Sequence, residues 1–226
     1  PRTVPFSNIV THVQDAGLRI DEQTLRRYHL SLTTRGFVIL SGVSGTGKTW
    51  LAELYAQAAG ARCQIVPVAP NWTTNEDLLG YFNPLDGAYH DTAFSSLLRR
   101  ADQALRDSEV SGGQPAQFHV VLDEMNLARV EYYFAKFLSA MELRSRQGWA
   151  VIELGPHDEV ILGRNLFFIG TVNIDETTHG FADKVYDRAQ LIELTVDREA
   201  LAARIGPVPW GSLALEIWDA IREVAP

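Results

Sequence analysis

Residues 42–49 read Gly-Val-Ser-Gly-Thr-Gly-Lys-Thr and match G-x-x-x-x-G-K-[ST] at each fixed position, a spacing that suits a chain of phosphates. Glycines 42, 45 and 47 let the backbone turn its N–H groups inward where a Cβ would clash. Together with the N–H groups of Ser44 and Thr46 they would form a cradle. Lys48 would reach the β- and γ-phosphates, and the Thr49 hydroxyl would be a ligand for Mg²⁺. Further along, Val120-Val121-Leu122 runs into Asp123-Glu124. Beside a phosphate loop, Asp123 can hold Mg²⁺ or its water ligands, while Glu124 can orient and deprotonate an attacking water. A third apolar run, Phe168-Ile169-Gly170-Thr171-Val172, ends at Asn173. An amide there can position that water against the γ-phosphate, although an asparagine that merely turns the chain is the plainer alternative.

These groups serve one reaction only if the elements behind them end at one edge. Phe37-Val38-Ile39-Leu40 is short, β-branched and aromatic, as a strand buried on both faces should be. The stretch from Trp50 to Ala56 has helical spacing and strong helix formers, so its N-terminus adds partial positive charge at the loop. Five strand candidates emerge, at 37–41, 63–68, 118–122, 166–171 and 190–194. Most are separated by helical or long connections, which predicts an α/β fold with a parallel sheet covered on both faces. Ligands of such sheets bind at the carboxyl ends of the strands.

The remaining segments have plainer readings. Asp21 is placed to cap a helix from Glu22 to about Leu32, with Leu25, Tyr28 and Leu32 on one face. A second helix is expected from Ala128 to Leu143, where Val130, Tyr133, Phe134, Phe137, Leu138 and Met141 make a core stripe. Residues 111–115 read as a loop, and 151–162 as a β-hairpin turning at Gly155-Pro156-His157-Asp158. From Asp197 onward the composition becomes helical, interrupted at Gly206-Pro207-Val208-Pro209, so the core is expected over 1–196 and the start of a helical lid over 197–226.

With 226 residues the chain is long enough for one such domain plus a small appendage, and because it begins at Pro1 it is expected to be a piece of something longer. A net charge of −8 argues against a surface built mainly to hold nucleic acid. The single cysteine, Cys63, excludes an internal disulfide and suits a reducing cytoplasm. The six histidines are scattered without metal-site spacing, and no apolar run is long enough for a membrane span.

Taken together, the phosphate loop, the VVLDEMN run, the inserted hairpin, the IGTVN run and an arginine before the fifth strand resemble an AAA+ ATPase module. Asp123-Glu124-Met125-Asn126-Leu127-Ala128-Arg129, Asn75-Glu76-Asp77-Leu78-Leu79-Gly80-Tyr81 and Gly170-Thr171-Val172-Asn173 are similar to the McrB and dynein-related branch. The resemblance spans roughly residues 18–195 and implies sheet order 5-1-4-3-2 and a ring, expected to be hexameric, with nucleotide at subunit boundaries. It puts Asn173 at the sensor 1 position and Arg188 where an arginine finger would reach the neighbour's γ-phosphate, with Arg129 as a second candidate. McrB proteins that use GTP carry Asn-Thr-Ala-Asp-Arg after this strand, whereas this chain has Asn173-Ile174-Asp175-Glu176-Thr177, so Mg²⁺ with ATP is expected and GTP is the alternative. The purine is expected near Leu18 and Ile20.

What the resemblance implies for function is a motor that energises an McrC-like nuclease subunit in modification-dependent DNA restriction, with DNA bound through a domain outside this chain. Two other readings stay open: a MoxR-like or midasin-like ATPase that remodels protein complexes, and an assembly scaffold that binds nucleotide but barely hydrolyses it.

Overall fold

The computed structural model describes residues 4–174 and 179–195. Two helices, α1 (Phe6–Asp15) and α2 (Glu22–Arg35), precede β1 (Phe37–Gly42). Then follow α3 (Lys48–Ala58), β2 (Arg62–Pro67), α4 (Asn75–Leu79), and the strands β3 (Gly80–Asn83) and β4 (Ala88–Asp91). Next come α5 (Ala93–Ser111), β5 (Phe118–Asp123), α6 (Val130–Tyr133), α7 (Ala135–Gln147), β6 (Ala150–Gly155) and β7 (Asp158–Leu162). The described chain closes with β8 (Leu166–Asn173), α8 (Asp183–Tyr186) and β9 (Gln190–Glu193).

Five of these strands make one parallel sheet in the order β2-β5-β8-β1-β9. Numbered along the sheet's own strands this is the order 5-1-4-3-2 implied by the family resemblance. Register aligns Gly42 with Asn173 and Pro67 with Asp123, so the phosphate loop, the acidic pair and the amide leave the sheet at one edge. Every residue of β1 is buried, because successive side chains point to opposite faces and both faces are covered. Phe37 and Ile39 join one core with Phe94, Phe118, Phe134, Phe137 and Phe168. Val38 and Leu40 join the other with Tyr28, Leu51, Tyr55, Val121 and Ile169. Among the described residues no helix is long and apolar enough to cross a membrane.

The Asp21 cap is present: its carboxylate accepts from the Thr24 backbone N–H at 2.7 Å, and α2 ends at Gly36 in a left-handed turn with φ 69°. The single helix expected over 128–143 is corrected to two, because the chain breaks at Phe134 (φ −112°, ψ 11°). The new start is supported from outside: the Asn75 side-chain oxygen accepts from the Lys136 backbone N–H at 3.0 Å, capping an N–H that has no partner within α7. The aromatic stripe itself is core, with Tyr133, Phe134 and Phe137 fully buried.

The hairpin expected around Pro156 is β6–β7. A second one, β3–β4, is not legible in the sequence, since its strands are four residues each and of mixed polarity. Arg99 of α5 ties the two hairpins together, donating to Asp91 at 3.0 Å and to Asp158 at 2.6 Å. The helical lid expected from Asp197 lies outside the described residues.

Candidate nucleotide site

The loop between β1 and α3 owes its shape to glycine. Gly45 and Gly47 both have φ 81°, a left-handed conformation that costs other residues energy. At Gly47 a Cβ would also lie 2.7 Å from Leu18 Cδ1, and at Gly42 it would lie 2.6 Å from the Leu194 backbone oxygen. The turn therefore brings backbone N–H groups of 44–49 to the start of α3, where phosphates are favoured. Lys48 is 6% exposed, and its ammonium donates to the backbone oxygens of Val43 at 2.8 Å and Gly42 at 3.0 Å. Leu18 is thus brought to the phosphate loop, and Ile20 packs in the same apolar cluster.

On the acidic side a short chain of hydrogen bonds joins three elements. Asp123 Oδ1 accepts from the Thr49 hydroxyl at 2.6 Å and from the Thr171 hydroxyl at 2.8 Å. Thr171 Oγ1 accepts in turn from the Glu124 backbone N–H at 2.9 Å. The Asn173 amide donates to Glu124 Oε1 at 3.0 Å. Glu124 has φ 53°, a left-handed conformation that a side chain adopts only when its surroundings enforce it. Enforcement comes from Thr171, through its hydroxyl and through its carbonyl oxygen, which accepts from the Met125 N–H at 2.9 Å. The strained turn sends the Glu124 carboxylate toward Asn173 rather than along the strand.

The donor set fits the expected cation. Thr49 Oγ1 and Asp123 Oδ1 are hard oxygen groups beside a phosphate loop, the pairing that Mg²⁺ takes when phosphates and water fill its other positions. Chemically the arrangement can hold a triphosphate, place a divalent cation against it and present a carboxylate to a water. Thr171 is a residue that the sequence reading did not single out. Its only signal is a hydroxyl in an otherwise apolar strand, at 1% exposure.

Arg188 is not brought to this edge. Two residues after it, Gln190 pairs with Val38 near the start of β1, so Arg188 lies at the amino edge of the sheet. The length of the six-residue β1, about 20 Å, separates it from the loop. Its Nε donates to the Leu138 backbone oxygen at 2.9 Å, and its guanidinium pairs with Glu142 of α7. Arg129 is more open, lying over the Tyr132 ring at 5.8 Å with Glu131 4.0 Å away. Residues 175–178, which carry the departure from the GTP-associated pattern, lie outside the described residues.

The sequence profile of the AAA domain (dynein-related subfamily) matches residues 37–188. A solved structure of a candidate ATPase from Cytophaga hutchinsonii is similar to the chain with a TM-score of 0.51 and 16% identity. That match covers 87% of this chain and 54% of the other, so the chain spans about half the length of the protein it resembles. At so low an identity the likeness speaks for the fold alone. No curated protein matches the chain.

Proposed function

The chain belongs to the dynein-related subfamily of AAA domains, and from that premise we propose that it is the motor domain of a DNA-restriction system, hydrolysing ATP in a ring of copies to drive a partner nuclease. Membership of an AAA+ ATPase family carries the hydrolysis of nucleoside triphosphates. The observation that supports the catalytic reading is the linkage of Thr49, Asp123, Glu124 and Asn173 by hydrogen bonds through the Thr171 hydroxyl at the mouth of the phosphate loop. A scaffold that only binds nucleotide has no use for a strained glutamate held by an amide.

Each side chain then has a task. The loop N–H groups and Lys48 hold the β- and γ-phosphates, and Leu18 borders the purine. Thr49 and Asp123 would hold Mg²⁺, which when bound neutralises charge on the phosphates. Glu124 accepts the proton of the attacking water, and Asn173 fixes the direction of that carboxylate. Arg188 cannot serve its own chain's phosphates across the sheet, so it would act on those of a neighbouring copy in a ring expected to hold six. The stretches Asn75–Tyr81 and Asp123–Arg129 favour the McrB-like role, with an McrC-like nuclease as partner and DNA bound outside this chain.

Glu124→Gln tests the catalytic core. It keeps size and hydrogen-bonding shape, so Mg²⁺–ATP affinity should stay within about threefold while turnover falls at least about a hundredfold, the lower range for a positioned base. Turnover close to the parent's would move the base elsewhere. Mixing Glu124→Gln with Arg188→Ala chains should restore part of the activity, since one kind of boundary then joins an intact base to an intact arginine. A mixture that assembles yet stays inactive refutes the shared site and points to Arg129. Competition binding should favour ATP over GTP. For the restriction role, a nuclease subunit should be encoded beside this chain, and its DNA cleavage should require ATP and stop with Glu124→Gln. ATP-independent cleavage, or a metal-adhesion partner in place of a nuclease, counts against it.

A further inference from the structure

At the opposite edge of the sheet lies a cleft of about 680 Å³, lined where α2, α7, β8 and the chain before β9 converge. Arginines 35, 144, 146, 164 and 188 line it, against the carboxylates of Glu142 and Asp187, a surplus of three positive charges. On a chain whose net charge is −8 this concentration runs against the overall balance. The five arginines come from four separate stretches of sequence, so no local pattern gathers them.

Arg144 is the floor of the cleft. It is 7% exposed, donates through Nη1 to the backbone oxygens of Leu166 at 2.8 Å and Gly163 at 3.2 Å, and lies over the Phe168 ring at 5.8 Å. Its Nη2 reaches Gly36, where a Cβ would stand only 2.7 Å away. Among the described residues neither Arg144 nor Arg164 has a carboxylate within ion-pair distance. Burial pulls the Arg144 pKa down to about 10, the mark of a cation that is short of compensating charge. Arg146 and Arg188 divide one carboxylate, Glu142, between them. Among the described residues Arg35 has only the Asp187 backbone oxygen, at 3.3 Å. A strut tying two carbonyl oxygens would explain Arg144 but not the convergence of the others.

We propose that this cleft is a second anion site, which takes a phosphate chain between Arg144 and the guanidinium groups of Arg35, Arg164 and Arg188. Planar forks match phosphate oxygens two at a time, and a surplus of three charges calls for a polyvalent oxyanion rather than a single carboxylate. The strand length between the two edges means that a triphosphate on Lys48 cannot also fill it. The anion is a free polyphosphate from solution, since a neighbouring copy's nucleotide is already the ligand proposed for Arg188. Only Arg188 is shared with the catalytic reading above.

Titration calorimetry with sodium tripolyphosphate on the whole Lys48→Ala chain tests the site with the phosphate loop disabled. One tripolyphosphate should bind, with affinity falling steeply as salt rises. Adding Arg35→Gln and Arg164→Gln should weaken it about tenfold or more, given the strength of charge-assisted hydrogen bonds. Both residues are exposed, so the fold should survive, and a melting curve checks this. Absence of tripolyphosphate binding, or binding undiminished by the two glutamines, overturns the proposal. Failure of the parent chain to bind ATP would instead overturn the nucleotide-site reading, because the tripolyphosphate titration does not use the loop.

Discussion

Replacing Thr171 by valine keeps the volume and branching of the side chain and removes only the hydroxyl. That hydroxyl donates to Asp123 Oδ1 at 2.8 Å and accepts from the Glu124 N–H at 2.9 Å, at 1% exposure. Water cannot reach the gap, so the substitution loses one hydrogen bond to a carboxylate and leaves one buried N–H without a partner. Together these cost about 3 kcal/mol. With a urea slope of about 3 kcal/mol per M for a chain of this length, the unfolding midpoint should fall by about 1 M. Catalysis should suffer separately. Glu124 holds φ 53° only because Thr171 grips its backbone, and a base released from its position loses roughly ten- to a hundredfold in turnover. Urea unfolding followed by circular dichroism, beside steady-state ATP hydrolysis at saturating nucleotide, reads both effects. Thr171→Ser retains the hydroxyl and should stay near the parent in turnover. A valine variant that is destabilised but turns over within twofold of the parent would show that Thr171 braces the sheet without positioning Glu124. One unchanged in both would refute the reasoning altogether.

Three other outcomes follow from the same geometry. Lys48→Ala should weaken Mg²⁺–ATP binding at least about a hundredfold by calorimetry, since its charge serves the phosphates, and native-like far-ultraviolet dichroism should persist. His119 is fully buried between Tyr55 and Phe167, and burial pulls its pKa down to about 4. The unfolded chain therefore binds more protons between pH 6.5 and 4, so stability is complete above pH 6.5 and falls by about 3 kcal/mol as pH drops through that window. Urea midpoints of His119→Phe should lack that part of the slope. At Gly170 a Cβ would lie 2.0 Å from the sulfur of the fully buried Met125, so Gly170→Ala should cost about 1–3 kcal/mol. Met125→Ala in the same chain should recover at least about 1 kcal/mol of this, and strict additivity of the two would count against the contact.

What the sequence determined by itself is whatever a contiguous stretch of chain can express. Gly42 to Thr49 carries its own turn, since glycine supplies the backbone freedom and Lys48 starts a helix wherever the stretch is placed. Asp123 and Glu124 follow an apolar strand whose burial on both faces is written in its composition. Asp21, and the hairpin around Pro156, are equally local. Only the tertiary structure decided which of these meet. Thr49, Asp123 and Thr171 stand on three different elements, and sheet order alone brings the two threonine hydroxyls to the Asp123 carboxylate. The break at Phe134 needs Asn75, far away in sequence, to cap the new helix. The β3–β4 hairpin shows no strand pattern, yet Arg99 joins it to β6–β7. The arginines of the second cleft come from stretches that periodicity reads only as solvated charges. Periodicity and propensity act within a few residues of one another, whereas the partners of a buried charge or hydroxyl are fixed by crossovers between strands. No short-range pattern carries that information.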